Sequence, residues 1–320
     1  MMMSHTLFQL LHQQNPECEL HVLAPAWSEA LLARMPEIKK RIVLPFGHGQ
    51  LQLRKRYQFA KQLRAEKYDQ VIVLPNSFKS ALIPYWANIP KRTGWLGEYR
   101  FGLLNDARTL NKKLLLKMVE RYAALAFSRE TILPANLPMP KLVIQKENVD
   151  HALEKHQLVR PQQLILALCP GAEFGSAKRW PTKYYAAVAN QKLAEGWAVW
   201  IFGSPNDCAI SDEIQRMTHQ KCVNLTGKTT LSEAVDLLSL VNGVVANDSG
   251  LMHIAAALNC FVIALYGPTS PDFAPPLTDN AKILKTNLEC QPCRQRECPL
   301  KHHHCMEWLR PEEVLSVISV

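Results

Sequence analysis

Val244-Val245-Ala246-Asn247-Asp248-Ser249-Gly250-Leu251-Met252-His253 reads as an apolar strand that runs into a tight polar turn and passes at once into a helix. An uninterrupted apolar run fits a strand covered on both faces, as in a parallel sheet. Asp248 or Ser249 can cap the helix, and Gly250 lets a ligand come close to the backbone. The free N–H groups and the positive end of such a helix suit an anion, above all a diphosphate. An ordinary capped helix would use the same residues, and His253 reads equally well as a packed core histidine.

The same alternation continues on both sides of this stretch. Phe261–Leu265 is a further strand, and upstream lie strands at Leu164–Leu168 and Ala198–Phe202 with helices at 182–195 and 231–240. Thr230-Leu231-Ser232-Glu233 has the form of a capping box. Earlier still, Pro134, Pro138 and Pro140 crowd together and mark a hinge. Before the hinge, Glu19–Ala24 and Val71–Leu74 read as strands, each stopped by a proline. Between them Leu53, Tyr57, Phe59, Ala60 and Leu63 give residues 51–66 a helical face. Strands alternating with helices predict an α/β protein of two doubly wound units, 1–145 and 146–320, with substrate in the cleft between them. The opening is unusual: Leu7, Leu10 and Leu11 mark a helix before Asn15-Pro16, where such a unit should begin with a strand. The first strand of the N-terminal domain is therefore expected to be missing, or the domain to be built unusually.

Composition narrows the function. The 320 residues are 48% hydrophobic and 20% charged, as in a soluble globular protein. No apolar run is long enough to span a membrane and no secretory leader pattern opens the chain, so the sequence reads as cytoplasmic. A net charge of +9 suits an anionic substrate or an acidic membrane surface. No pattern of a nucleic-acid-binding module accompanies it, so no nucleic acid is expected. The nine cysteines read as reduced thiols or metal ligands. Four of them form Cys290-x2-Cys293-x4-Cys298-x6-Cys305, with His302, His303 and His304 before the last. That spacing is short for a two-knuckle zinc site, so a redox-sensitive loop is preferred to a structural metal.

A second ligand-type loop is Cys169-Pro170-Gly171-Ala172-Glu173-Phe174-Gly175-Ser176-Ala177-Lys178-Arg179-Trp180-Pro181, at the carboxyl end of a strand. Two glycines give it freedom and Lys178 and Arg179 give it charge; a solvated loop anchored by Trp180 is the plainer alternative. Gly227-Lys228-Thr229 is no P-loop, because Cys222 stands where a glycine is needed. In the first half, Pro75–Ser80 follows a strand, and Arg92–Arg100 is basic, aromatic and punctuated by glycine. Together Asn76, Ser77, Lys79, Arg92, Trp95 and Arg100 could form an acceptor surface for an anionic sugar.

The segments LPNSFKSAL, KRTGWLGEYRFGLLND, CPGAEFGSAKRWP, NDSGLMHIAAAL and YGPTSPDFAPPL, in this order, resemble the lipopolysaccharide core heptosyltransferases of glycosyltransferase family 9. The likeness runs from Met1 to about Asp279. It implies a GT-B fold and inverting transfer of L-glycero-D-manno-heptose from ADP-heptose, without metal or cofactor. The implied acceptor is the first heptose of the Kdo–lipid A inner core, met peripherally at the cytoplasmic face of the inner membrane. Carried onto this sequence, Lys178 would neutralise the diphosphate, and Ser249, Gly250 and Leu251 would offer it backbone N–H groups. Asp248 would hold the heptose or order the loop. Thr229 would lie near the adenine and Asp207 near the ribose, with Gly171 and His253 completing the donor site. The family's general base is an aspartate in a Gly-x-Ser-Trp-x-Gly-Asp loop ahead of the helix that matches Met1–Ser4, so the sequence is expected to lack that loop. Two other readings stand beside this one: a non-catalytic nucleotide-sugar-binding protein, and a sugar-nucleotide epimerase of the same two-domain build.

Overall fold

A computed structural model describes residues 1–47 and 49–318. The chain forms two compact units, one made of Met1, Met3–Glu29 and Glu37–Pro138, the other of Met2, Ala30–Pro36 and the chain from Met139 onward. The division at 138/139 falls inside the proline cluster, several residues before the expected 145/146. The physical reason is that 139–145 and 30–36 are bonded to elements of the second unit: Leu142 N–H donates to the Ala257 carbonyl at 3.0 Å and Val143 N–H to the Arg34 carbonyl at 2.9 Å.

Up to Pro138 the elements are α1 (Met2–Gln14), β1 (Leu20–Ala24), α2 (Glu29–Leu32), β2 (Ile38–Val43), α3 (Leu53–Leu63), β3 (Gln70–Val73), α4 (Phe78–Trp86), β4 (Lys91–Trp95), β5 (Asp106–Arg108) and α5 (Met118–Ala123). The strands make two parallel sheets, β1-β2 and β3-β4-β5, and β1 and β3 are not hydrogen-bonded to each other. Helix α1 is where the early leucines place it, with Leu7 and Leu10 buried. Residues 91–95, the start of the stretch read as punctuated by glycine, are a strand. A side-chain carbon at Gly94 would stand 3.0 Å from the Val73 carbonyl and 3.1 Å from Leu104, so this glycine serves close strand packing rather than a turn.

The second unit runs α6 (Lys146–Lys155), β6 (Ile165–Cys169), α7 (Thr182–Ala194), β7 (Ala198–Ile201), α8 (Cys208–Met217), β8 (Val223–Asn224), α9 (Leu231–Leu238), β9 (Gly243–Asn247), α10 (Gly250–Ala257), β10 (Phe261–Tyr266), β11 (Ala281–Lys285), α11 (His304–Glu307) and α12 (Pro311–Val317). Its six strands form one parallel sheet in the order β11-β10-β9-β6-β7-β8. Every residue of β6 and β9 is buried, as their apolar runs require. Leu166, Leu168, Ile201, Val245 and Ile263 pack with Trp180, Tyr185 and Trp197 in its core. The chain winds outward from β6 to β8, then returns to β9 and winds the other way. The switch point of the sheet is therefore the β6–β9 boundary, where ligands of such folds bind at the carboxyl ends. Among the described residues no helix is long and apolar enough to cross a membrane.

Two polar clusters hold the second unit together. The Thr230–Glu233 capping box forms as read, with Glu233 N–H donating to Thr230 Oγ1 at 3.3 Å and Thr230 N–H to Glu233 at 3.0 Å. Burial pushes the Glu233 carboxyl up, but Lys155 at 2.6 Å, the Thr230 backbone and His156 at 3.1 Å prevail and hold it at about 2. Because its folded value is depressed, Glu233 contributes stability above the usual glutamate range that is lost as pH falls from there toward about 2. The other cluster is the buried pair Arg34–Asp236, bridged at 2.6 Å, with Arg34 also donating to Ser232 Oγ at 2.9 Å. Removing Arg34 alone leaves a buried carboxylate, so Arg34→Met should cost about 3–5 kcal/mol of unfolding free energy. Arg34→Met combined with Asp236→Leu should cost much less. Denaturant titration of the two variants checks this, and equal losses would show that the charge pairing is not what matters.

Candidate functional site

The loop after β6 and the turn after β9 meet at the switch point of the second unit. Lys178 Nζ donates to the Asp248 carboxylate at 2.7 Å and to the Asp248 carbonyl at 3.1 Å. The two side chains are only 12% and 11% exposed, so this is not the solvated loop lysine that the plainer reading allowed. Ser249 occupies the N-cap position of α10 without making a side-chain cap, and its buried Oγ has no hydrogen-bond partner among the described residues. A buried orphan hydroxyl is costly unless a ligand or water uses it. Gly250 is exposed and a side chain there would meet nothing, so the start of α10 is open to an approaching group. Lys178, Asp248, Ser249, Gly250 and Leu251 are thus brought together. A cation, an orphan hydroxyl and the first N–H groups of a helix have the chemistry to receive an anion such as a diphosphate.

Asn247 ties the two loops, although the sequence reading gave it no role. It is wholly buried. Its Oδ1 accepts from Trp180 N–H at 3.2 Å and from Tyr185 Oη at 3.0 Å, and its Nδ2 donates to the Pro170 carbonyl at 2.8 Å and the Gly171 carbonyl at 3.4 Å. The one signal in the sequence was an asparagine ending an otherwise apolar strand. Thr269, after β10, was also passed over; its Oγ1 is a second buried hydroxyl without a partner among the described residues.

The other donor candidates differ in what they have left to offer. Burial pushes the His253 imidazole down to about 4, against the pull of Asp248, so near pH 7 it is neutral and not one of the cations of the site. Gly171 approaches Asp207 so closely that a Cβ would lie 2.5 Å from the carboxylate. Asp207 itself is buried, and one carboxylate oxygen already accepts from Ser204 N–H at 2.9 Å and Ser204 Oγ at 2.7 Å. Through that oxygen it caps the turn that leads into α8. Thr229 sits in the turn before α9, half-buried.

In the first unit half of the acceptor set, Arg92, Trp95 and Arg100, is bonded within the fold. Arg100 is fully buried, donating to the Pro75 carbonyl at 2.7 Å, to Asn76 Oδ1 at 3.1 Å and to the Trp95 carbonyl. Arg92 donates to the Leu103 and Ile89 carbonyls, both at 2.7 Å, and buried Trp95 donates through Nε1 to the Arg121 carbonyl at 3.0 Å. These three hold loops in place and are not the surface groups expected. Asn76 is exposed beside Arg100, while Ser77 and Lys79 lie half-buried at the start of α4. The cysteines Cys290, Cys293, Cys298 and Cys305 line one small cavity together with His302, Ala177 and Pro268. Burial and the other three thiols push Cys305 up to about 11. Among the described residues no group of three or more His, Cys, Asp or Glu side chains is arranged to hold a metal ion.

The family model described as Glycosyltransferase family 9 (heptosyltransferase) matches residues 56–304. Lipooligosaccharide heptosyltransferase 2 of Haemophilus influenzae is 50% identical over 89% of this chain and 85% of its own length. Lipopolysaccharide heptosyltransferase 2 of Escherichia coli is 43% identical over 100% of this chain and 94% of its own. The solved structure of E. coli ADP-heptose lps heptosyltransferase II superposes with a TM-score of 0.88 at 40% identity, covering 99% of this chain and 93% of that one. A glycosyl transferase family 9 structure from Veillonella parvula, only 18% identical, shares the fold with a TM-score of 0.85 over 98% of this chain and 91% of that one.

Asn247→Ala should free the 170–180 loop, since it strips partners from Trp180 N–H, Tyr185 and two carbonyls at once. A loss of about 2–4 kcal/mol is expected from groups left unsatisfied in the interior. Amide hydrogen exchange across residues 170–180 should quicken well beyond the rest of the second unit. Exchange unchanged in that loop would remove Asn247 from its support.

Proposed function

The chain belongs to glycosyltransferase family 9, the heptosyltransferases, and we propose that it moves L-glycero-D-manno-heptose from ADP-heptose to the first heptose of the Kdo–lipid A inner core. It is a glycosyltransferase of the GT-B fold, and heptose transfer in lipopolysaccharide core synthesis is its function. The observation that carries the donor assignment is the Lys178–Asp248–Ser249 cradle at the sheet switch point.

In the transfer, the bond from the anomeric carbon to the β-phosphate oxygen breaks and its electron pair leaves with ADP. The acceptor hydroxyl oxygen bonds to the same carbon from the opposite face, inverting it, and releases its proton to solvent water. As charge grows on the departing diphosphate, the Lys178 ammonium and the N–H groups of Ser249, Gly250 and Leu251 hold it. Fixed donors aimed at developing charge need no reorganisation when the bond breaks, which is why they lower the barrier. Asp248 keeps Lys178 aimed before the donor arrives, and neutral His253 adds no charge of its own. Thr229, at the β8 side, would lie toward the adenine. Asn76, Ser77 and Lys79 remain the acceptor-side candidates. The net charge of +9 suits a phosphorylated glycolipid acceptor and peripheral contact with the acidic inner face of the inner membrane.

Lys178→Ala should lower turnover about a hundred- to a thousandfold, the usual scale for one lost transition-state stabiliser. It should also cost about 1–3 kcal/mol of stability, because Asp248 is left half-buried without its partner. The two effects separate in Lys178→Ala with Asp248→Asn, where stability should largely return and turnover should not. ADP release from ADP-heptose plus acceptor is the assay, and near-normal turnover in Lys178→Ala would take this lysine out of the reaction.

A further inference from the structure

The cysteine-bearing segment between β11 and α11 has no part in the chemistry above, yet its middle presses on the Lys178 loop. Ala177 N–H donates to the Arg296 carbonyl at 3.0 Å, and any side chain at Gly175 would run into that same carbonyl. The other flank of the segment is fastened to the end of β10: Arg294 N–H donates to the Pro268 carbonyl at 2.7 Å and Gln291 Nε2 to the Gly267 carbonyl at 2.8 Å. Held on both sides, Arg296 lays its guanidinium carbon 5.5 Å from the centre of the Phe174 ring. Lys178 Nζ lies 5.0 Å from the centre of the same ring. One aromatic side chain of the donor loop therefore gathers two cations.

The two cations differ in what balances them. Lys178 is paired with Asp248, whereas Arg296 is exposed and has no carboxylate within ion-pair distance among the described residues. Arg34, Arg92 and Arg100 spend their guanidinium groups on internal acceptors. Arg296 keeps a planar fork of donors free, the geometry that matches a phosphate with two hydrogen bonds. Strand order gives the direction of approach. Thr229 follows β8 on one side of the switch point, and Arg296 follows β11 on the other. A nucleoside diphosphate sugar with its base toward β8 turns its sugar-linked phosphate toward β11.

We propose that Arg296 is a donor-binding residue that grips the sugar-linked β-phosphate of the nucleotide sugar, as the second cation beside Lys178. This rests on the donor site assigned above. Substitution leaves the Arg296 backbone carbonyl in place, so its bond to Ala177 and the support of the loop are retained. The test is calorimetric binding of ADP and of AMP to the unsubstituted chain, to Arg296→Ala and to Arg296→Lys. Arg296→Ala should weaken ADP about tenfold, the scale of one charge-assisted hydrogen bond at a partly solvated site, and leave AMP unchanged. Arg296→Lys should recover part of the ADP loss, because it returns the charge without the fork. Unchanged ADP binding in Arg296→Ala would overturn the proposal alone, as would equal weakening of ADP and AMP, which would mark a purely structural role. Failure of the unsubstituted chain to bind ADP would instead overturn the donor site itself, and the role of Arg296 with it.

Discussion

The carboxamide of Asn247 is the constraint on which the site depends. A parallel sheet sends all its strands out at one edge, and the loops that leave there carry backbone groups that the sheet no longer pairs. At the β6–β9 boundary one buried side chain meets three such needs, the Trp180 N–H and the Pro170 and Gly171 carbonyls, and accepts from the Tyr185 hydroxyl as well. Aspartate would place a charge in the core and set a second acceptor oxygen against the Pro170 and Gly171 carbonyls. Leucine would match the packing and take the Asn247 partner from all of them, leaving only the Tyr185 hydroxyl with another acceptor, the Cys169 carbonyl at 3.5 Å. The amide alone has both donor and acceptor faces, and through it the loop that bears Lys178 is fixed to the strand that bears Asp248.

The second unit was legible in the sequence because its four inner strands, β10, β9, β6 and β7, are buried on both faces. Runs such as 165–169 and 261–266 are apolar throughout, and their limits shift by no more than a residue or so between sequence and structure. The first unit gave weaker signals for a physical reason. Strand β2 is Ile38-Lys39-Lys40-Arg41-Ile42-Val43, mostly exposed, and its charges conceal its pairing with β1. Strand β4 contains a glycine that looks like punctuation and is in fact a point of close packing against β3. Edge strand β11 has three exposed residues of five, and β8 is two residues long. None of these has a period for pattern reading to find.

The site was legible at the level of loops, and less so at the level of side chains. Glycines and polar residues at strand ends mark where the backbone can receive a ligand, and the structure brings the 171–180 and 247–251 segments together as that logic requires. Sequence cannot show whether a long polar side chain faces out or turns inward to close the fold. Arg92, Trp95, Arg100 and Asp207 have residue types suited to sugar or ribose recognition, yet each is used on internal carbonyls or on a cap. Lys178 has the same kind of side chain, and what distinguishes it is a carboxylate seventy residues away, which no local pattern contains.

In the donor site that we propose, the Lys178–Asp248 pair also limits how the cradle can work. A lysine so little exposed would pay heavily in lost hydration if it stood unpaired, so Asp248 lets the cation wait in position. The same carboxylate cancels most of the field of that cation before the donor arrives. A diphosphate entering the cradle must then compete with Asp248 for Lys178, and neutral His253 offers no further charge. The net attraction has to come from groups that carry no counter-ion, which are the first N–H groups of α10 with its positive end and, on our proposal, the Arg296 guanidinium. These strengthen as charge builds on the leaving phosphate, and Lys178 strengthens with them as the diphosphate outcompetes Asp248 for its ammonium. The arrangement therefore favours the separating diphosphate over the intact donor, and that difference is the part of binding that accelerates a reaction.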